Sequence, residues 1–188
     1  KRVSDPNTDV AFSALGGFTQ SETSVARCGN TAVVGWNDSG SVLETFFGGP
    51  GGSSFNGVGR STNANNANPT FTDLGFLNPG ADPEDSLRGD PVVACTNANT
   101  FYYASLFFDN DAPVQSCISV SASTNGGQSF SAPRTAVCKG IGPTFPELHF
   151  LDNPTTLFDL ALDLSPLSMR KISAVIALLQ PGDELEDV

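Results

Sequence analysis

Lysine is almost missing from this 188-residue chain: Lys1, Lys139 and Lys171 are the only three. Nine basic residues face twenty acidic ones, giving a formal net charge of −11. Nucleic acid requires a basic footprint, so this balance argues against nucleic-acid binding, and equally against anionic membrane surfaces. The acidic excess otherwise reports solubility. No apolar run approaches the roughly 20 residues that span a bilayer. No signal peptide is visible, because Lys1 leads straight into polar sequence, so a secreted chain would be in its mature form. Histidine occurs once, at His149, and a Ser-His-Asp triad would rest entirely on it. A local structural role suits that residue better. There is no Gly-x-Ser-x-Gly, and no Cys or His spacing suggests zinc.

What is present suits a secreted β protein. Hydrophobic residues make up 39% of the chain, enough for a core, and the length allows one sizeable domain or two small ones. Asn, Gly, Ser and Thr carry much of the polar surface. With four cysteines, that composition points to an extracellular protein.

A repeat runs along the chain. "SVARCGNTAVVGWND" (Ser24–Asp38) and "PVVACTNANTFYYASLFFD" (Pro91–Asp109) each hold an apolar segment closing on a cysteine, an Asn-containing turn and a second strand-like run. A fainter third copy is "HFLDNPTTLFDLAL" (His149–Leu162). The second half of each unit also repeats: "GRSTNANNANPTFTDLGFL" (Gly59–Leu77) parallels "SVSASTNGGQSFSAPRTAV" (Ser119–Val137). A unit of about 60 residues therefore reads as four short strands, a hairpin, a connection and a second hairpin. The third unit stops after its second strand.

Between these segments, "GGPGGSSFNGVG" (Gly48–Gly59) reads as a surface loop because it is glycine-rich, and "NPGADPEDSLRGDP" (Asn78–Pro91) reads as the loop joining units. After Leu164 the pattern changes. Ser165 is a plausible N-cap with Pro166 at the first helical position; Ile172, Val175, Ile176 and Leu179 follow at helical spacing, and Pro181-Gly182 stops the run. The expected organisation is an N-terminal segment (1–20), β-sheet repeats (21–164), and an amphipathic helix with an acidic tail (165–188) that docks on its own domain or on a partner.

"STNGGQSF" (Ser123–Phe130) sits at the tip of the second hairpin of a unit. Asn-Gly is a strong hairpin signal because both central residues must tolerate positive φ. Ser or Asn side chains bond back to turn amides, and Phe130 is expected to pack under the turn. The stretch resembles the Asp box, or BNR repeat, of sialidase-type β-propellers, whose pattern is Ser/Thr-x-Asp-x-Gly-x-Thr-Phe/Trp. Ser123, Gly127 and Phe130 match, while Asn125 replaces the Asp and Ser129 the Thr. The copy at Ser61–Phe71 is more degenerate, with a longer turn. The resemblance covers about residues 20 to 162 and implies propeller blades. In that family the box lies on the blade periphery, away from the catalytic face, so it reports architecture and not activity.

The catalytic set that the resemblance would bring is three Arg around a carboxylate, a Tyr nucleophile with its Glu, and an Asp acid/base. The arginines available are Arg2, Arg27, Arg60, Arg88, Arg134 and Arg170. Arg27, on a predicted inner strand, is the best single candidate, its other reading being a solvated or paired surface residue. Tyr102 and Tyr103 are adjacent in one strand, so at least one faces the core. No Glu pairs with either, and the full set is not found. "FDNDAP" (Phe108–Pro113) and "ADPEDS" (Ala81–Ser86) are carboxylate-rich loops of the kind that take calcium, with Asp109 and Asp111 as candidate ligands. Neither has EF-hand spacing, and ordinary turn formation also explains both. Cys117 and Cys138 flank the Asn125–Gly127 turn nearly symmetrically, which places them across a hairpin and predicts that they pair; Cys28 and Cys95 remain, at equivalent places in successive units. Asn37-Asp38-Ser39 is the one N-glycosylation sequon, expected on a turn.

The expected fold is all-β: sialidase-like propeller blades, about two and a half four-stranded antiparallel units with a short C-terminal helix. A closed propeller needs at least four blades, so these units cannot close alone, and open strand edges invite pairing with another chain. The leading reading is therefore a non-catalytic extracellular protein that self-assembles or adheres as a homo-oligomer or polymer. The alternatives are a piece of a sialidase-like glycoside hydrolase, or a glycan-binding module using exposed aromatics such as Trp36 and Phe46, although the place of Trp36 in a strand suits a core residue better. No cofactor beyond the calcium candidates is implied.

Overall fold

The computed structural model describes Val3 and residues 20–38, 54–81, 86–109 and 115–140. The third repeat, the C-terminal helix and tail, His149, Phe46, Asp111, Arg2 and Arg170 lie outside the described residues.

β-Branched and aromatic residues make these segments strands, several of them buried on both faces, and the short Asn-containing turns Gly29-Asn30 and Ala98-Asn99 each join two of them. In the first sheet β1 (Gln20–Cys28), β2 (Thr31–Asp38), β3 (Asn56–Ser61) and β4 (Thr72–Phe76) lie side by side in chain order, all antiparallel. In the second, β5 (Ser86–Leu87) and β6 (Val92–Asn97) form a broken first row against β7 (Thr100–Asp109), followed by β8 (Gln115–Ser123) and β9 (Arg134–Gly140). The described residues hold two antiparallel sheets and no helix.

The sheets stack face to face. Val33 and Val58 of the first sheet meet Leu87, Val93, Phe101, Tyr103, Phe107 and Cys117 of the second in one buried cluster. Along β7 the alternation decides the facing: Phe101, Tyr103 and Phe107 are buried in this core, while Tyr102 and Leu106 point to the other face and are half-buried. Burying each large side chain contributes roughly 1.5–3 kcal/mol. The closest approach is at Gly35, where an added Cβ would lie 2.8 Å from the Tyr103 ring. Glycine there lets the phenol ring rest on the β2 backbone.

Two segments expected to be loops contain strands. Asn56–Ser61, read partly into the glycine-rich stretch ending at Gly59, is β3, an interior and almost wholly buried strand of the first sheet. Its glycines serve packing and not turning. The Trp36 indole lies flat over β3: a Cβ at Gly57 would fall inside the envelope of Cε2 and Nε1, and one at Gly59 would lie 3.1 Å from Cζ3. A Val3 methyl group also covers Gly59. Within Asn78–Pro91, Ser86–Leu87 is β5, held on β7 opposite Phe107 and Phe108, with Leu87 fully buried.

Candidate functional site

Both hairpin turns and both Ser-x-Asn turns lie at one end of the stack, called here the turn end. In the second sheet the Ser123 hydroxyl accepts from the Gly127 amide at 2.9 Å and donates to Asn125 Oδ1 at 2.9 Å. Asn125 Oδ1 also accepts from the Gln128 and Ser129 amides at 3.1 Å each, and its Nδ2 donates to the Ser129 hydroxyl at 2.8 Å. One side-chain oxygen thus satisfies two turn amides that would otherwise face solvent. The first sheet repeats the device despite its longer turn: Ser61 donates to Asn63 Oδ1 at 3.0 Å, and that oxygen accepts from the Thr70 amide at 2.8 Å. In each sheet the turn bonds back to the neighbouring hairpin, Ala64 N to Asn30 O and Gly126 N to Asn99 O. Positive φ falls on Gly126 and Gly127, one residue later than the Asn-Gly pair suggested, because Asn125 is occupied in capping the turn. Phe130 is half-buried, edge-on to Tyr103 at 5.9 Å between centroids.

The turn of the second sheet also grips the first. Arg60 of β3 donates from Nε to the Gly126 carbonyl at 2.5 Å, and Gly127 leaves no room for a side chain beside Val33. Cys28 is bonded to Cys95, joining β1 to β6 at this end. Cys117 is bonded to Cys138, its directly opposite residue on β9, with Cα atoms 4.0 Å apart.

The opposite end is held differently. The first row of the second sheet breaks between β5 and β6, and three amides of this segment are taken by side chains of the first sheet. Gly89 N donates to Asn56 Oδ1 at 3.1 Å, Asp90 N to Asn37 Oδ1 at 2.8 Å, and Val93 N to Ser24 Oγ at 3.0 Å. Asn37 Nδ2 in turn donates to Glu22 Oε2 at 2.7 Å. Asn37 thus ties the Glu22 carboxyl and the Asp90 backbone to the same amide group. Burial first, then the bond to Glu22 and the charge beside it, push the Asp90 carboxyl up to about 6, against the opposing pull of Asn37. Both acidic residues have a φ of 52°, the only non-glycine residues with positive φ among those described. Deeper in, Tyr103 donates to the Gly57 carbonyl at 3.1 Å and accepts from Asn56 Nδ2 at 3.4 Å. Burial holds its phenol well above the ordinary range.

These placements dispose of several candidates. Tyr103 is 0% exposed between the sheets, so no substrate reaches it. Arg27 is exposed at the turn end, where its guanidinium bonds Asn65 Oδ1, and Arg60 is committed to Gly126 at the same end. Arg88 lies at the other end, over the rings of Phe55 and Phe108 and bonded to Ser86 Oγ at 2.8 Å. Arg27 and Arg60 therefore stand at one end and Arg88 at the other, so these three form no common clamp; Arg134 opens β9 opposite Val120. Trp36 is 3% exposed and donates to Asp38 Oδ2 at 3.0 Å, which removes it as a glycan platform. Asn37 lies within β2 and not on a turn, with both ends of its amide engaged, so a glycan on Nδ2 would displace the bond to Glu22. Asp109 ends β7, and among the described residues no three His, Cys, Asp or Glu gather to hold a metal. Nor does any helix among them have the length and apolarity to cross a membrane.

The junction of Glu22, Asn37, Asn56 and Asp90 carried no sequence expectation beyond the glycosylation sequon at Asn37. The available signal was Gly89-Asp90-Pro91, a break inside an otherwise apolar row. No protein-family model, curated protein or solved structure matches the chain.

Proposed function

We propose that this chain is a non-catalytic, extracellular β-sheet protein built from sialidase-like blades, acting by self-assembly or adhesion through open sheet edges. The observation that carries this reading is a register equivalence. Ala32 lies opposite Ser61 and Phe101 opposite Ser123, and these serines open the two equivalent turns. Counting from them, Val33 and Gly35 correspond to Tyr102 and Ala104. The face of the first sheet that carries Val33 and Gly35 receives the second sheet. The corresponding face of the second sheet is apolar too: it carries Tyr102, Ala104 and Leu106, continued by Ile118 and Val120, with Ala104 and Ile118 buried and the others half-buried. A strand row apolar on both faces belongs between two layers.

The edges support the same reading. Val25 on β1 is 64% exposed, and Leu74 and Phe76 stand exposed on β4. Exposed apolar edge strands are templates for further pairing. The two disulfides suit an oxidising compartment. The paired Ser-x-Asn turns favour blades over an ordinary sandwich, because each occupies the same place between the third and fourth rows of its sheet.

The test is the mass and shape of the native, non-reduced protein by light scattering and negative-stain microscopy. Large regular assemblies or filaments are expected, and Leu74→Lys should reduce their size. A compact monomer overturns the proposal. Turnover of a sialidase substrate by the same preparation would transfer the argument to the glycoside-hydrolase reading.

A further inference from the structure

The turn end of the stack is closed by a covalent bond and a guanidinium, whereas the opposite end is closed by neutral amide bonds clustered around two carboxyl groups. We propose that this second junction is a proton-operated clasp: the Asp90 carboxyl keeps its proton beside Glu22, and losing it loosens the 89–93 segment from the first sheet. This inference concerns the joint within one chain and does not depend on assembly.

The geometry supplies the parts. Asn37 stands between the acids, donating to Glu22 Oε2 at 2.7 Å and accepting from the Asp90 amide at 2.8 Å. Its side chain is fixed against Gly89, where an added Cβ would lie 2.7 Å from Oδ1. Asn37 therefore cannot swing aside without releasing the Asp90 amide. Both acids sit on left-handed backbone, Glu22 at an irregularity where the pairing of β1 with β2 shifts between Ser21 and Ser24. Side chains other than Gly and Asn adopt that conformation at a cost of order 1–3 kcal/mol, so the surrounding contacts hold the acids together against local preference.

The charges around the pair offer no neutralising partner among the groups placed here. From β1 comes Glu22, from β2 the neutral Asn37, and from the start of β3 the neutral Asn56. Asp38, next on β2, is directed to the Trp36 indole. Arg88, on the same connection as Asp90, is turned over Phe55 and Phe108. A like charge beside a half-buried carboxyl disfavours its ionised form, so the Asp90 carboxyl holds its proton more tightly than a free one. Because the folded Asp90 carboxyl holds its proton more tightly than an unfolded one, its stabilising contribution is complete below about pH 4. It is lost as pH rises through about 6.

The test is hydrogen exchange of peptides spanning 86–97 in the intact, oxidised protein at pH 5 and pH 7.5, corrected for intrinsic rates, with thermal melts at both values. The amides of Gly89, Asp90 and Val93 are expected to exchange up to about tenfold faster at pH 7.5. Tenfold is the upper bound for a carboxyl titrating near 6, because pH 5 lies only about one unit below that value, and solvent screening acts to lower it. Asp90→Asn and, separately, Glu22→Gln should abolish the difference, with melting at pH 7.5 at or above that of the parent. Equal corrected exchange at the two pH values in the parent overturns the proposal. So does an unchanged pH difference in both variants.

Discussion

Gly57→Ala is the sharpest probe of the packing that made β3 hard to recognise. In a strand interior with free space, replacing Gly by Ala stabilises by about 0.4–1 kcal/mol, because the unfolded chain loses freedom. Here the new methyl would fall within the envelope of Trp36 Cε2 and Nε1, and 2.7 Å from Cζ2, against an ordinary carbon separation of about 3.5–4.0 Å. The indole must move by roughly 1 Å. It is buried and tied to Asp38 through Nε1 at 3.0 Å, so the shift costs overpacking strain of about 1–3 kcal/mol and weakens a hydrogen bond contributing about 0.5–1.5 kcal/mol. The expected net is a loss of about 2–4 kcal/mol, or roughly 5–15 °C in Tm for a chain of this length. Trp36 is the single tryptophan, so its emission reports the move directly: a red shift in the native baseline should accompany the lowered midpoint. In a Trp36→Leu background the Gly57→Ala penalty should largely vanish. A variant as stable as the parent, with unchanged emission, would refute the account of β3, since even the sign of the effect depends on the indole.

Removing the inter-sheet bridge by Cys28→Ser with Cys95→Ser should cost about 4 kcal/mol. The shorter Cys117–Cys138 loop should cost about 3, both read by urea unfolding. Tyr103→Phe leaves the Gly57 carbonyl and the Asn56 amide without their buried partner and should cost about 1–3 kcal/mol. The same variant should lose the part of the alkaline instability that develops above pH 10, since a phenol held protonated by the fold favours unfolding as it ionises. Asn125→Ala should lose about 1–3 kcal/mol by stranding the Gln128 and Ser129 amides. Asn125→Asp, which keeps the acceptor and charges it, should match or exceed the parent at neutral pH in thermal melts.

The strand content was readable where aromatic and β-branched residues cluster, as in β7, whose adjacent tyrosines announce a strand. The turns were readable because Asn and Gly at hairpin tips have a local chemical reason to be there. β3 was not, because its glycines answer to an indole some twenty residues away, and no local pattern distinguishes that demand from a loop. Arg27 was readable as a strand residue, but which end of the stack it occupies depends on strand direction. Its neighbourhood at the turn end separates it from Arg88. The Glu22–Asp90 junction depends on residues from β1, β2, β3 and the β5–β6 break. Each of these is unremarkable in its own window, and only stacking the two sheets brings them together.

The two disulfides also decide how the protein would respond to mechanical load. Tension applied to the chain before Cys28 and after Cys138 runs through the sulfur bridges, bypassing the 67-position span from Cys28 to Cys95 and the 21-position span from Cys117 to Cys138. At about 3.5 Å per extended residue, those spans conceal roughly 230 Å and 70 Å of contour length. While oxidised, the residues inside the two loops are shielded from extension, and the stretch from Cys95 to Cys117, which contains β7, carries the load. Reduction would lengthen the same chain severalfold under the same force, so its compliance is set by the redox state of its surroundings.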